Sequence, residues 1–101
     1  MFILIAGGGL TAAHLAMLLV QQHHQVRLVE HRGEVLTSLH RELPTEVIYE
    51  GVPTDPQVLE QAGIREVDVL AACTSNDVEN LVLCFLGRTR YSVPRTIARI
   101  N

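Results

Sequence analysis

Met1-Phe2-Ile3-Leu4-Ile5-Ala6-Gly7-Gly8-Gly9-Leu10-Thr11-Ala12 opens the chain, an apolar and partly β-branched run that stops at three glycines. Behind it stands Ala13-His14-Leu15-Ala16-Met17-Leu18-Leu19-Val20, rich in helix formers. The stretch predicts a strand, a tight turn and a helix. With Gly7, Gly9 and Ala12 in register it fits G-x-G-x-x-G/A, the phosphate-binding turn of a dinucleotide fold. The small residues each serve a physical need. Gly7 turns the chain out of the strand, Gly9 lets backbone approach a pyrophosphate, and Ala12 lets the helix lie close on the strand. Backbone N–H groups at the helix start then face the anion, and the helix dipole favours its charge.

Three glycines after a strand can also be no more than a turn, so the context decides. Gln25-Val26-Arg27-Leu28-Val29-Glu30 reads as a second short strand, ending in an acid about twenty residues past Gly9, where such folds place the carboxylate that binds a ribose diol. A solvated charge at a strand end is the alternative for Glu30. Strand, glycines, helix, strand and acid in that order favour nucleotide binding.

The 101 residues, 48% of them hydrophobic, suffice for one domain, 1–101, around one core. A net charge of −3 argues against nucleic acid or an anionic membrane surface as a general partner. All eight basic residues are arginine, and Arg88, Arg90, Arg95 and Arg99 gather after Glu79, the last acid. They read first as cations complementing a helix C-terminus and a polar strand end; a basic rim for phosphate or a partner's acids is the sharper alternative. Cys73 and Cys84 lack zinc-site spacing and read as reduced thiols, Cys73 as a strand-end residue rather than a redox sensor. The N-terminus has no basic segment of a secretory signal, and no stretch approaches the ~18 apolar residues of a membrane span.

In chain order, the first helix is expected from about Leu10 to Gln22, with positions 10, 13, 16, 17 and 20 as its apolar stripe and Leu15, Leu18 and Leu19 outside it. His14, His23 and His24 carry no assigned chemistry. A second helix spans about Glu34 to Leu43 and Pro44 stops it. A third strand covers Thr45 to Glu50. Asp55 and Pro56 open a third helix, which Gly63 closes with Ile64 as the hydrophobic contact. A fourth strand runs Val67 to Ala72. The fourth helix takes Asn76 as N-cap, buries Val78, Leu81, Val82 and Phe85, and ends at Gly87 or the Tyr91-Ser92 loop. Thr96 to Ile100 is the fifth strand.

This alternation predicts an α/β fold, a Rossmann-like doubly wound parallel sheet in three αβα layers. Ligands of such sheets lie beyond the C-terminal strand ends where strand order reverses. Four loops are expected to meet there: Gly7 to Ala12, Glu30 to Arg32, Gly51 to Pro53, and Cys73 to Asn76.

At these loops the sequence resembles the nucleotide-binding regulatory domain of bacterial potassium uptake systems, the Trk/Ktr and RCK family. The likeness covers nearly the whole chain and rests on Gly7 to Ala12, Glu30, Gly51-Val52-Pro53-Thr54-Asp55-Pro56, Leu59-Glu60-Gln61-Ala62-Gly63-Ile64, Ala72-Cys73-Thr74 with Asn80, and Ile97-Ala98-Arg99. The long middle stretch is more specific than the glycines. The resemblance implies that the glycine loop (Gly7, Gly8, Gly9, Leu10, Thr11, Ala12) holds phosphates and Glu30 the adenosine ribose. His31 and Arg32 then form the rim, Gly51 and Val52 lie by the adenine, and Cys73, Thr74 and Ser75 line the far side.

The resemblance also implies NAD(H) as ligand, with ATP, ADP or AMP as alternatives. It implies a homodimer or higher homo-oligomer on the cytoplasmic, inner face of the cell membrane, beside a membrane potassium transporter or channel subunit. Family members often carry Arg where Leu10 stands and Asp where Val52 stands, and the first difference weighs against a triphosphate. The family fold continues past the fifth strand, so the expected fold lacks its last elements, as a fragment or a minimal version would. No residue is assigned catalysis or a metal. An NAD-dependent oxidoreductase fragment without its catalytic half and a nucleotide-free assembly module are the competing readings.

Overall fold

The computed structural model describes residues 1–101. Five strands form one parallel sheet: β1 (Phe2–Ala6), β2 (Gln25–Glu30), β3 (Ile48–Glu50), β4 (Val69–Ala72) and β5 (Arg95–Ala98), in the order β3-β2-β1-β4-β5. Four helices join them: α1 (Gly9–Gln21), α2 (Gly33–Glu42), α3 (Pro56–Ala62) and α4 (Asp77–Thr89). The Rossmann-like αβα arrangement expected from the sequence is the one observed. The strand order reverses between β1 and β4, which opens the crevice at their C-terminal ends.

β1 is central and covered on both faces, so its apolar run is continuous: Ile3 is 4% exposed and Leu4, Ile5 and Ala6 are fully buried. Alternate side chains feed two cores. Ile3 and Ile5 meet Ala12, Ala13, Ala16, Leu28, Leu36 and Leu39 beneath α1 and α2. Leu4 and Ala6 meet Val29, Leu59, Ile64, Leu70 and Leu83 beneath α3 and α4.

α3 follows its capping signals. Asp55 accepts the Gln57 N–H at 2.9 Å, Pro56 takes the first helical position, and Gly63 closes the helix at φ 103°. Ile64 N–H returns to the Leu59 carbonyl at 3.0 Å with its side chain fully buried, the paired hydrogen bond and apolar contact of a Schellman cap.

The predicted stripe of α1 holds at Ala13, Ala16, Met17 and Val20 and fails at Leu10, whereas that of α4 is overturned. α1 buries Ala12, Ala13 and Ala16, while Leu10, Leu15 and Leu18 stay exposed. The glycine turn brings the first turns of α1 close to the sheet, where alanines fit, and Met17, Leu19 and Val20 pack at the edge of the same core. On α4 the predicted stripe of Val78, Leu81, Val82 and Phe85 faces solvent, each more than half exposed, and the helix buries Asn80, Leu83 and Gly87 instead. A Cβ on Gly87 would stand 2.8 Å from Leu70 Cδ2, so α4 approaches β4 through a glycine. α4 also passes through Gly87 and ends at Thr89, ahead of the Tyr91-Ser92 loop.

Smaller shifts affect the strands. Thr45–Val47 forms a 3-10 turn, and only Ile48–Glu50 pairs with β2. β4 starts at Val69 rather than Val67, and β5 is Arg95–Ala98 rather than Thr96 to Ile100.

Candidate functional site

The sheet's hydrogen bonds continue past the strand ends and fix the loops. Gly7 N–H donates to the Val29 carbonyl at 2.8 Å, Gly51 N–H to Glu30 at 3.0 Å, Cys73 N–H to Ala6 at 3.0 Å and Arg99 N–H to Ala72 at 2.9 Å. All four predicted loops therefore reach one edge. They surround a crevice of about 270 Å³ lined by Gly7, Gly8, Glu30, His31, Arg32, Val52, Pro53, Thr54, Thr74, Ser75 and Glu79.

Gly7, Gly8 and Gly9 all have positive φ, at 72°, 105° and 57°. Gly8 is the most confined: a Cβ there would lie 2.7 Å from Ala12 Cβ and 2.9 Å from Cys73 Cβ. It is the residue that lets α1 close on the β4 turn, a role the motif spacing did not reveal. Gly9 is open, since an added Cβ would meet only Arg32 Nη2, at 3.3 Å. Backbone at Gly9 is thus free for close approach, as a pyrophosphate requires.

Glu30 is 1% exposed and accepts four hydrogen bonds. Its Oε2 takes the backbone N–H groups of His31 and Arg32 at 2.9 and 3.1 Å and Arg32 Nε at 3.1 Å, while Oε1 takes Arg32 Nη2 at 2.9 Å. Burial works to raise the pKa of this carboxyl, but the Arg32 side chain, the two backbone donors and the Arg32 charge together outweigh it and hold the pKa at about 2. The acid is therefore no solvated strand-end charge. His31 lies beside it, with Nδ1 3.7 Å from Oε2.

On the far wall, Asn80 accepts the Thr74 hydroxyl at 2.8 Å and is itself fully buried. The cap of α4 stands next to it, where Asn76 Oδ1 accepts the Glu79 N–H at 2.9 Å.

Several predicted site residues lie outside the crevice lining. Gly9 opens α1 beside the crevice without lining it, Leu10 and Thr11 sit exposed on the same turn, and Ala12 is buried beneath it. Gly51 packs on Val58, whose Cγ1 would stand 2.6 Å from an added Cβ, so it supports the wall from behind. Cys73 is half-buried, and burial pushes its thiol pKa up, which leaves little thiolate at neutral pH. Conversely, Thr54 and Glu79 line the crevice without having been singled out for it. Proximity of Asp55 and of the Asn76 cap was the available signal for each. No three His, Cys, Asp or Glu side chains cluster in a way that holds a metal ion.

The fold and this edge define a Rossmann-like domain with a glycine turn and a buried acid at its topological switch point. Comparison with known proteins places it further. The model of the TrkA-N domain family matches residues 3–101, and the chain belongs to that family. It is 41% identical over all 101 residues to a Trk system potassium uptake protein TrkA homolog of Methanothermobacter thermautotrophicus, of which it covers 46%. It is also 35% identical to the Trk system potassium uptake protein TrkA of Haemophilus influenzae, covering 22% of that protein, and 31% identical to that of Mycobacterium tuberculosis, covering 45%. The chain thus spans less than half the length of these relatives.

Proposed function

We propose that this domain is a nucleotide-binding regulatory module of a potassium uptake system, taking NAD(H) or an adenine nucleotide into the crevice at the switch point and performing no chemistry on it. The observation that carries this reading is the convergence of Gly7, Gly8, Glu30 and Thr74-Ser75 on one crevice in a chain of the TrkA-N family. The residues suit such a ligand. Gly9 leaves room for a pyrophosphate beside the start of α1, and Glu30 supplies a carboxylate that is ionised throughout the physiological range.

The partner in this reading is a membrane potassium transporter or channel, and the module acts from the cytoplasmic side, peripheral to the membrane. No helix is long and apolar enough to cross a bilayer. Self-association belongs to the same reading: α4 presents Val78, Leu81, Val82 and Phe85 at i, i+3, i+4 and i+7, an apolar stripe of the kind a second copy covers.

Isothermal titration with NAD+, NADH, ATP, ADP and AMP tests the proposal. Wild type is expected to bind at least one with micromolar affinity. Gly9→Val is expected to abolish that binding with the fold retained, because its side chain occupies the space left for phosphate. Unchanged affinity in this variant sinks the site assignment.

A further inference from the structure

The four hydrogen bonds on Glu30 have a consequence for how any nucleotide enters. A carboxylate offers roughly four lone-pair positions. Oε2 already serves three donors and Oε1 one, and two of the four come from the Arg32 guanidinium. A ribose diol approaching Glu30 needs the positions that Arg32 holds. The pair is asymmetric in mobility: the Glu30 side chain is 2% exposed and fixed, whereas the Arg32 side chain is 46% exposed and free to swing into solvent.

The same guanidinium reaches toward the phosphate end. Arg32 Nη2 stands 3.3 Å from where a Gly9 Cβ would be, so it lies over the backbone of the glycine turn. Arg32 is also the one Arg or Lys lining the crevice, whose other charged groups are Glu30, Glu79 and, when protonated, His31. Leu10, exposed on the first turn of α1, offers no cation.

We propose that Arg32 exchanges partners on binding: the ribose takes Glu30, and the displaced guanidinium takes the ligand's phosphates over Gly9. This rests on the nucleotide-binding reading above and adds a specificity to it. Ligands carrying both a ribose and phosphate at the glycine turn compensate the loss of the Glu30–Arg32 pair; a nucleoside without phosphate breaks the pair and returns nothing. The crevice therefore selects phosphorylated nucleotides through Arg32, the cation that position 10 does not provide.

The test compares adenosine, AMP, ADP and NAD+ by titration calorimetry at one ionic strength, on wild type, Arg32→Gln and Arg32→Lys, with thermal melting as the check on folding. Arg32→Gln is expected to bind adenosine several-fold more tightly, because Glu30 is uncovered. It should bind ADP and NAD+ about tenfold more weakly, the scale of a lost charged hydrogen bond. Arg32→Lys, which keeps the charge, should restore most of the ADP affinity. An unchanged ratio of adenosine to ADP affinity in Arg32→Gln overturns the exchange, as does an equal loss for every ligand, which would make Arg32 a support for Glu30 alone. A loss confined to NADP+ against NAD+, added as a fifth ligand, would place the guanidinium on a 2′-phosphate and also overturn it. If wild type binds none of them, the functional reading itself fails and this inference falls with it.

Discussion

Asn80 holds Thr74 at three points: its Oδ1 accepts the Thr74 N–H at 2.9 Å and hydroxyl at 2.8 Å, and its Nδ2 donates to the Thr74 carbonyl at 3.0 Å. A fourth bond, from Nδ2 to the Arg99 carbonyl at 3.0 Å, ties in the chain beyond β5. One fully buried amide thus sets the far wall of the crevice and anchors the edge of the sheet. Asn80→Ala removes these four bonds from partly buried groups of the Thr74 turn and Arg99 and empties a fully buried site, and a loss of about 2–4 kcal/mol is expected in urea unfolding. Asn80→Asp, which cannot donate to the two carbonyls, should be no better. A loss below ~1 kcal/mol in both would show that water replaces the amide without cost.

Acid should expose the Glu30–Arg32 pair. The Glu30 carboxyl has its pKa held at about 2 in the fold, against an ordinary value of 4.5. Its folded-state pKa is depressed, so its stabilising contribution is complete above about pH 4.5 and is lost as pH falls toward 2, on the order of 3 kcal/mol at most. Glu30→Gln should therefore be less stable than wild type at pH 7, with the gap narrowing between pH 4.5 and 2. A gap independent of pH in that window contradicts the pairing.

The glycine turn predicts an order of tolerance. Gly8→Ala places a Cβ 2.9 Å from Cys73 Cβ and 2.7 Å from Ala12 Cβ at a φ of 105°, so strain and overlap add. Gly9→Ala carries only the φ of 57°, facing the mobile end of Arg32. Losses of about 1–2 kcal/mol for Gly9→Ala and at least twice that for Gly8→Ala are expected from thermal denaturation. The reverse order would place the close approach at the wrong glycine.

The two faces of α4 separate stability from assembly. Leu83 is 1% exposed, and Leu83→Ala should cost about 2–5 kcal/mol. Phe85 is 67% exposed, and Phe85→Ser should change the stability of the isolated chain by less than ~0.5 kcal/mol. In sedimentation, Phe85→Ser with Leu81→Ser should lower the oligomer mass at a given concentration. An unchanged mass removes the α4 stripe from any self-association.

Much of the architecture was legible because its signals are local. Asp55, Pro56, Gly63 and Ile64 cap α3 through bonds spanning a few residues, and Asn76 caps α4 in the same way. The apolar run of β1, stopped by three glycines, announced a strand followed by a turn and a helix. The four loops of the crevice followed from alternation of strand and helix, which forces parallel strands whose C-terminal ends share one edge. Glu30 was found by its spacing from the glycines, and the family by the stretch from Gly51 to Ile64.

What the order of residues did not contain was distance between elements. Periodicity on α4 marks Val78, Leu81, Val82 and Phe85 as one stripe, and nothing within the helix says that this stripe faces outward. The close fit of Gly87 on Leu70 and the need of Thr74 for Asn80 decide it. On α1 the glycine turn likewise sets Ala12, Ala13 and Ala16 against the sheet and leaves Leu10 outside, although Leu10 lies in register with Ala13 and Met17. Residue order alone dictates the elements, their succession, their caps and the edge where they meet, since these depend on local hydrogen bonds and on chain direction. Packing in three dimensions settles which face of each helix is buried and that Arg32 covers Glu30, because both depend on how closely backbones approach and which buried groups must find partners.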